Sequence, residues 1–430
     1  MYKNLNFYGF KEEGKRIKHY FSAVEFHPIT IIGAGPAGST AALALSKRGQ
    51  QALLVDQAAF PRDKVCGDAL SGKVVLTLRR IDPSLVEDLG LQPFTLGSHG
   101  VIFIAPNGKE LKVPFRRETD PTNPPGYISR RQDFDNWLFA KASASTGITT
   151  ITNFRIEKFR RDGDEWILSD KEETRVIRTK LVIAADGAHS RFAKEVGGIA
   201  MEDEHYCAGL RAYYKNVKNL DTQGYIELHF VKDFLPGYFW IFPLPNGYAN
   251  VGVGMRSDVA GRKKINLKEA MLQLIEENPA IKSRFEGATI EGPIRGYGLP
   301  LGSKKRSISG DGYMLLGDAG SLIDPFTGEG IGNAMICGLK AAETVESVNG
   351  NYSSAALEIY DQSVYKRLWP ELSLSKKMQE LVKYPWLFNL VVNKASRSKT
   401  LQETISCMFE DIDLRGRLKD PRFYLKVLFE

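Results

Sequence analysis

The sequence predicts an α/β fold: a discontinuous Rossmann-like domain, a second domain built on an antiparallel β-sheet, and helices at the C-terminus. A strand, a glycine-rich turn, a helix and a second strand follow one another in residues 27–56. Two further apolar strands, at 181–185 and 313–316, each run into an acidic residue beside a glycine, which is typical of the carboxyl edge of a parallel sheet. Strand-like alternation at 225–231 and 249–255 indicates antiparallel strands.

Composition and charge narrow the classes of function. The chain has 430 residues, 43% hydrophobic and 25% charged, as in an ordinary globular protein. Its net charge of +7 suits an anionic partner such as a dinucleotide, a diphosphate or an acidic membrane surface, although scattered surface lysines would explain it equally well. We expect neither a nucleic-acid partner nor a bound metal ion. No run of about 18 apolar residues occurs, so the sequence predicts no membrane-spanning helix.

The first motif, GAGPAG at 33–38, has the residues that a pyrophosphate site requires. Gly33 permits a tight turn, Gly35 lets a pyrophosphate approach the backbone, and Gly38 lets the helix pack closely on the strand. The N-terminus of that helix would face the phosphates with free N–H groups. Asp56, at the end of the next strand, can accept hydrogen bonds from a ribose. Because NAD and FAD enzymes share this motif, it does not identify the dinucleotide.

Two later stretches add polar groups at the same predicted sheet edge. Asp186 and Gly187 follow the strand LVIAA, and Gly317 and Asp318 follow YMLL. Asp318 can reach a ribityl hydroxyl of a flavin. The N–H groups at 330–333, where a helix begins, can face an electron-rich flavin carbonyl.

Together these stretches resemble glutathione-reductase-like flavoproteins of the aromatic-hydroxylase type. Residues 131–138 also resemble the superfamily's R-x-x-F-D-x-x-L helix, whose arginine lies against FAD. That arginine is Arg131, or Arg130 if the register is shifted by one. The resemblance implies FAD as the cofactor and NAD(P)H as a transient electron donor near the D-G stretch. The FAD-site residues that it implies are Gly33, Gly35, Pro36, Ala37, Gly38, Asp56, Gln57, Arg62, Cys66, Gly67, Arg131, Asp186, Gly187, Gly317, Asp318, Gly328, Gly330 and Ile331.

A second resemblance narrows the branch of flavoproteins. PRDKVCG at 61–67 is similar to the P-x-x-x-x-C-G stretch of geranylgeranyl reductases, and YFWIFP at 238–243 with the glycines at 252–254 is similar to their Y-x-W-x-F-P…G-x-G signature. Alternation places three of these aromatic rings on one strand face, which forms either plain core or an apolar wall for an isoprenoid or aromatic ring. The expected substrate-binding residues are Tyr238, Trp240, Phe242 and Pro243. The candidate catalytic residues are Cys66, Tyr238 and Trp240.

The resemblance implies an FAD-dependent oxidoreductase that reduces carbon–carbon double bonds of an isoprenoid or other lipid tail with hydride from reduced flavin. The alternative is a flavin-dependent aromatic hydroxylase (monooxygenase) or halogenase acting through a flavin peroxide, because 237–243 is also similar to the halogenase G-W-x-W-x-I-P stretch. The chain departs from that stretch at Tyr238 and Phe242. A third hypothesis, an electron carrier without enzyme activity, leaves the apolar wall unexplained.

The expected domain organisation follows from these assignments. It comprises an N-terminal arm at 1–26, an FAD-binding domain at 27–95, 127–210 and 290–350, a substrate-binding sheet domain at 96–126 and 211–289, and a C-terminal helical region at 351–430. The apolar stretch 384–392 is flanked by lysines and arginines, so it fits either a helix packed on the core or a membrane contact through which a lipid enters. Four widely separated cysteines indicate that the protein resides in a reducing cytoplasm. If the stretch 384–392 is a membrane contact, we expect peripheral association with the inner membrane face.

Overall fold

The computed structural model describes residues 24–115 and 124–406. The predicted arm at 1–26 lies outside this part of the chain, apart from its last three residues, which begin the first strand. Residues 116–123 of the predicted substrate domain and 407–430 of the predicted C-terminal region also lie outside it.

Strands and helices alternate in the pattern of a mixed α/β protein. Within the described residues the strands are β1 (Val24–Ile32), β2 (Ala52–Val55), β3 (Ala69–Leu70), β4 (Leu96–Ser98), β5 (Gly100–Ile104), β6 (Glu110–Pro114), β7 (Gly126–Ile128), β8 (Ile148–Ile151), β9 (Lys158–Asp162), β10 (Glu165–Ser169), β11 (Val176–Ala184), β12 (Tyr206–Lys215), β13 (Ile226–His229), β14 (Tyr238–Leu244), β15 (Tyr248–Arg256), β16 (Thr289–Pro300), β17 (Ser309–Gly310) and β18 (Tyr313–Leu315). The helices in the same part are α1 (Pro36–Ser46), α2 (Gly72–Ile81), α3 (Pro83–Gly90), α4 (Arg131–Ser143), α5 (Arg191–Glu195), α6 (Ser257–Lys263), α7 (Leu267–Glu277), α8 (Pro279–Phe285), α9 (Ile331–Val348), α10 (Ser354–Leu381), α11 (Pro385–Ala395) and α12 (Lys399–Ser406). Among these described helices, none is both long and apolar enough to cross a bilayer.

The first sheet has eight strands. Its main order is β17-β18-β11-β1-β2-β8, and β10 and β9 extend it from β11. The strands β18, β11, β1, β2 and β8 run parallel to one another. The Ile-, Leu- and Val-rich runs of β1, β2 and β11 are buried, as expected when helices cover both faces of a parallel sheet. The carboxyl ends of these strands therefore meet at one edge, where the predicted polar residues follow.

The second sheet has seven strands in the order β16-β12-β15-β14-β13-β5-β6. All its neighbours are antiparallel except β13 and β5, which run parallel. Between β5 and β13 the chain forms strands of the first sheet. No hairpin therefore joins β5 to β13, and the two strands can run parallel. Tight turns join β5 to β6 and β14 to β15, with φ of +80° at Gly108 and +62° at Asn246. The predicted fold class is confirmed, whereas the domain limits stay a prediction; β12 and β16 cross the limits at 210 and 290.

The two faces of β14 pack against different elements. On one face, Phe239 contributes to a core that includes Met271 of α7 and Phe285 of α8. The other face belongs to a core that includes Phe388 of α11, whose ring centroid lies 4.8 Å from that of Phe230. The second sheet is thus covered on both sides, and α11 packs on the face that carries the predicted aromatic wall.

A buried ionic cluster connects α2 with α10. Nζ of Lys73 lies 2.7 Å from Oε2 of Glu371 and donates a hydrogen bond to Oδ1 of Asn333 at 3.0 Å. Arg367 also pairs with Glu371, at 2.6 Å. Burial lowers the pKa of Lys73, but the charges of Glu371 and Glu329 and the hydrogen bond to Glu371 together more than offset this effect, so the pKa lies above its ordinary value. Lys73 therefore stays charged and depends on its acidic partner.

We expect Glu371→Leu to lower the free energy of unfolding by about 3–5 kcal/mol, because it leaves the buried charge of Lys73 uncompensated. The double variant Lys73→Met, Glu371→Leu should recover part of this loss, since the charge of Lys73 is gone, although Arg367 still loses its contact with Glu371. Urea unfolding gives the free energies, with the exposed Glu358→Leu on the same helix as a control that changes by at most about 0.5 kcal/mol. Equal losses in the single and double variants would contradict the pairing.

Candidate active site

A cavity of about 530 Å³ lies between the carboxyl edge of the first sheet and one face of the second sheet. Three residues of the predicted site, Gly38, Gly317 and Pro243, are absent from its lining. The other predicted residues all line it: Gly33, Gly35, Pro36, Ala37, Asp56, Gln57, Arg62, Cys66, Gly67, Arg131, Asp186, Gly187, Tyr238, Trp240, Phe242, Asp318, Gly328, Gly330 and Ile331. The fold thus brings stretches that are far apart in sequence to one cavity.

Each glycine of the first motif has its own structural reason. Gly33 has φ of +98°, and a Cβ on it would lie 2.4 Å from the carbonyl oxygen of Ala185. A Cβ on Gly38 would lie 1.8 Å from the carbonyl oxygen of Gly33, so this glycine serves helix packing and not the cavity. A Cβ on Gly35 would meet only the guanidinium of Arg62, at 3.4 Å. Among the described residues no side chain caps α1, so its first N–H groups can meet an anion.

Asp56 and Arg62 lie beside this turn. The carboxylate of Asp56 accepts hydrogen bonds from the N–H groups of Ala34 and Ala58, both at 2.8 Å. Nη2 of Arg62 lies 3.9 Å from the same carboxylate, and its Nη1 donates to Oδ2 of Asp135 at 3.1 Å. Two acids therefore hold the Arg62 guanidinium next to the open backbone at Gly35.

Arg131, and not its neighbour Arg130, lines the cavity. Nε and Nη2 of Arg131 donate to the two oxygens of Asp135 at 2.6 and 2.7 Å, a bidentate pair. Burial lowers the pKa of Arg131, but the charges and hydrogen bonds of Asp135 and Cys66 together more than offset this effect, so the pKa lies above its ordinary value. Arg130 instead stacks on Tyr213 at 4.4 Å and pairs with Glu291 at 2.7 Å.

Two acids at the edge of the first sheet face the cavity. Oδ1 of Asp186 is buried and has no hydrogen-bond partner within the described chain, and burial raises the pKa of this carboxyl to about 6. Asp318 lines the cavity just beyond β18. Gly317 before it has φ of +55°, and a Cβ there would lie 2.7 Å from Cβ of Ala334. Gly317 therefore serves the turn, and Asp318 is the member of the pair that can meet a ligand.

The beginning of α9 differs from the expectation that N–H groups at 330–333 face a ligand. Gly330 and Ile331 line the cavity, but the N–H of Gly332 donates to Oε1 of Glu329 at 2.6 Å. The side-chain Nδ2 of Asn333 donates to the main-chain carbonyl oxygen of Glu329 at 3.2 Å. The side chain of Glu329 thus takes up an N–H group that the sequence analysis had assigned to the ligand.

The side chains of Tyr238, Trp240 and Phe242 form the aromatic wall on the cavity side of β14. Neighbouring ring centroids lie 6.0 and 6.2 Å apart. Nε1 of Trp240 donates to Oδ1 of Asn250 at 2.9 Å, and the hydroxyl of Tyr238 donates to the carbonyl oxygen of Thr327 at 3.1 Å. Because the protein satisfies these polar atoms, the wall presents apolar ring surface to the cavity.

Two glycines make room for the aromatic wall. A Cβ on Gly252 would lie 2.2 Å from Cζ2 of Trp240, and a Cβ on Gly67 would lie 2.8 Å from Cε2 of Phe242. Gly254 differs, because the nearest atom to a Cβ there is a Trp240 ring carbon at 3.7 Å, an ordinary contact. Gly67 of the C-G part and Gly252 of the G-x-G part therefore both leave space for rings of the same wall.

A buried polar group that the sequence motifs did not predict joins the wall to the other half of the cavity. Oδ2 of Asp68 accepts hydrogen bonds from the hydroxyl of Tyr213 and from Nδ2 of Asn250, both at 2.8 Å. The same Nδ2 donates to the carbonyl oxygen of Cys66 at 2.7 Å. Burial raises the pKa of Asp68 to about 6. Its place directly after Cys-Gly was the one available signal. Other polar residues of the lining that are outside the predicted site include Lys64, Arg211 and Tyr297.

We expect Gly252→Ala to lower the free energy of unfolding by about 1–3 kcal/mol, because the new Cβ overlaps the Trp240 ring and the carbonyl oxygen of Leu210. Gly254→Ala, two residues away on the same strand, is the matched control and should change it by at most about 0.5 kcal/mol. Thermal unfolding and near-UV circular dichroism check both variants. Similar behaviour of the two would show that the wall does not depend on the missing Cβ.

The lining fits FAD. The uncapped N-terminus of α1 and the guanidinium of Arg62 can meet its pyrophosphate, and Asp56 can meet a ribose. The buried oxygen of Asp186 lacks a donor, which a hydroxyl or N–H group of the cofactor can supply. The aromatic wall on the opposite side presents apolar ring surface to the cavity. A dinucleotide edge that faces such a wall is the arrangement expected of an FAD-dependent oxidoreductase.

Comparisons with known proteins identify the family. A model of the FAD binding domain matches residues 27–235, and a model of the geranylgeranyl reductase catalytic domain matches 205–291. Digeranylgeranylglycerophospholipid reductase of Methanocaldococcus jannaschii is 32% identical over 92% of this chain and 94% of its own. Menaquinone reductase of Mycolicibacterium smegmatis is 28% identical over 87% and 88%. The chain belongs to the geranylgeranyl reductase family of FAD-dependent oxidoreductases, as the signature indicated.

Solved structures support the fold. A geranylgeranyl bacteriochlorophyll reductase-like protein of Thermoplasma acidophilum superposes with a TM-score of 0.76 at 23% identity, covering 95% of this chain and 97% of its own. A flavin-dependent brominase superposes with a TM-score of 0.72 at 23% identity, covering 90% and 94%. At these identities the likeness shows a shared architecture and does not separate reductases from halogenases.

Proposed function

We propose that this enzyme reduces carbon–carbon double bonds in the isoprenoid tail of a lipid. The observation that carries the proposal is the continuity of the cavity, which joins the glycine turn to the aromatic wall. Relatives that cover most of the chain are named as reductases of an isoprenoid phospholipid and of menaquinone. Both named substrates have polyunsaturated tails, and such a tail would lie against Tyr238, Trp240 and Phe242.

The residues of the cavity would bind, orient and shield the reactants. When bound and reduced, FAD supplies hydride for one carbon of the double bond. The aromatic wall excludes water and holds the flat alkene by contact with ring surfaces. Asn250 fixes the indole of Trp240 through its hydrogen bond to Nε1, so the wall keeps its orientation while the tail moves. A tail with several double bonds could present each bond in turn.

The second carbon of the double bond needs a proton, and Cys66 and Tyr238 are the candidates. Burial raises the pKa of both side chains above their ordinary values, so both hold their protons at neutral pH. The hydroxyl of Tyr238 is engaged with the carbonyl oxygen of Thr327. We therefore assign proton delivery to the thiol of Cys66, which lines the cavity beside Arg131, with Tyr238 as a part of the wall.

The electron donor belongs to the same proposal. The sequence contains one glycine-rich dinucleotide turn, at 33–38, so NAD(P)H would bind transiently at the cavity rather than in a fold of its own. The D-G edge with Asp186 and Gly187 lines the cavity and is the place that we assign to it.

Incubation of the FAD-loaded enzyme with dithionite or NADPH and digeranylgeranylglycerophospholipid, without air, should yield lipid that gains two hydrogens for each bond reduced. Mass spectrometry follows the product. Trp240→Ala should lower the rate by about a hundredfold, because the alkene is no longer held in place. Trp369→Ala, at a half-buried tryptophan away from the cavity, should keep the rate. Oxygen consumption in step with a hydroxylated or halogenated product, with no saturated lipid, would contradict the proposal.

The proposal includes contact with an anionic membrane surface through α10 and α11. Tyr384, Trp386 and Leu390 are 57%, 68% and 52% exposed, whereas Phe388 of the same helix is buried against the second sheet. Positively charged residues flank the exposed patch in the sequence: Lys376, Lys377, Lys383, Lys394, Arg397 and Lys399. Aromatic and leucine side chains with a cationic rim suit the interface of an acidic bilayer, where the lipid substrate would reside.

Cosedimentation with phosphatidylglycerol vesicles tests this contact. The double variant Trp386→Ser, Leu390→Ser should lower the bound fraction by about tenfold or more, because two apolar side chains no longer enter the bilayer. Leu91→Ser and Met201→Ser, also highly exposed at 83% and 70% but elsewhere on the surface, are matched controls that should bind as the unchanged protein does. Binding that survives the double variant, or that is equal on phosphatidylcholine, would contradict the proposed surface.

A further inference from the structure

The cationic side chains of the cavity lining fall into two groups, those paired with a carboxylate and those that are not. The five arginines in the lining all pair with acids: Arg62 with Asp135, Arg131 with Asp135, Arg155 with Glu157, Arg191 with Glu195 and Arg211 with Asp63. Lys64 also lines the cavity. Among the described residues it forms neither an ion pair nor a hydrogen bond, and its Nζ lies over the ring of Tyr297, 3.2 Å from the centroid.

Lys64 lies where the two halves of the cavity meet. The charged or polar groups with the largest effects on the pKa of Lys64 are, in order, Asp318, Arg131 and Cys66. Asp318 lies at the edge of the first sheet, and Cys66 precedes Gly67, the glycine that contacts the aromatic wall. Electrons can pass from FAD to a substrate on the wall only if the reactive ring of the cofactor lies at this junction. The junction therefore contains one cation without a carboxylate partner in the described chain.

We propose that the ammonium group of Lys64 is the electrostatic partner of bound FAD in its reduced form. Two electrons and one proton convert the neutral oxidised ring into a ring with one negative charge, so a fixed cation stabilises the reduced state more than the oxidised state. None of the neutralised arginines can do this to the same extent. The ring of Tyr297 holds Lys64 in place without removing its charge.

The environment of Lys64 supports this role. Burial lowers its pKa to about 8, and the nearby charge of Asp318 opposes that shift. Desolvating a lysine without giving it an acidic partner disfavours its charged form. A negative group that enters the cavity would favour the charged form of Lys64 again, and reduced FAD is such a group.

The measurement is the ratio of the Kd values of oxidised and reduced FAD, obtained from the midpoint potential of the bound cofactor and of free FAD. We expect Lys64→Met to lower the preference for reduced FAD by about tenfold and to make the midpoint potential more negative. Lys64→Arg, which keeps the charge, should stay within about twofold of the unchanged protein. Lys215→Met is the matched control, because Lys215 also lies over a tyrosine ring but outside the cavity.

This test needs no lipid substrate, so its outcome is independent of whether the proposed double-bond reduction is correct. An unchanged potential in a Lys64→Met protein that binds oxidised FAD normally would overturn the proposal. Equal shifts in Lys64→Met and Lys64→Arg would also overturn it, since charge would then not be the cause. If Lys64→Met fails to bind FAD at all, restoration by Lys64→Arg supports the charge role, and failure of both variants contradicts it.

Discussion

The hydrogen bonds of Asn250 join the two halves of the active site. Asn250 belongs to β15, yet its amide donates to the carbonyl oxygen of Cys66 and to Asp68, and its oxygen accepts from Trp240. All these groups are buried or nearly so, and a buried polar group that loses its partner costs about 1–3 kcal/mol. The position of the aromatic wall relative to the edge that binds FAD therefore depends on this one side chain and on the acid that holds it.

Around that junction, close approach of the backbone is as important as hydrogen bonding. Gly33 and Gly38 bring strand, turn and helix together on the FAD side, whereas Gly67 and Gly252 give the aromatic rings their space on the substrate side. Charges in the cavity are mostly neutralised in pairs, so an apolar tail meets little exposed charge. Among the cations of the lining, Lys64 forms no ion pair with a carboxylate in the described part of the chain, and we propose that it lies beside the reduced flavin.

Local patterns were enough to predict the fold class, the glycine turn and the aromatic strand, because periodicity and spacing record them directly. Residues that act through tertiary contacts could not be predicted from local patterns. Asp68 and Asn250 are 182 positions apart, and Glu329 takes a helix N–H that the motif had assigned to the ligand. Gly38 meets the packing requirement that the motif predicts, whereas Gly317 and Pro243 lie outside the cavity lining, and their part in the site stays a prediction. The parallel pairing of β5 with β13 depends on how the chain passes between sheets, which no local signal records.

The proposed function requires that one continuous cavity holds FAD and the lipid tail against each other. Titration of digeranylgeranylglycerophospholipid into the enzyme loaded with oxidised FAD, followed by the visible absorption bands of the flavin, detects this contact. We expect a saturable spectral shift at one lipid per FAD that is lost in Trp240→Ala, since the tail packs between the wall and the ring. Stoichiometric lipid binding that leaves the flavin bands unchanged would place the two ligands in separate sites and contradict it.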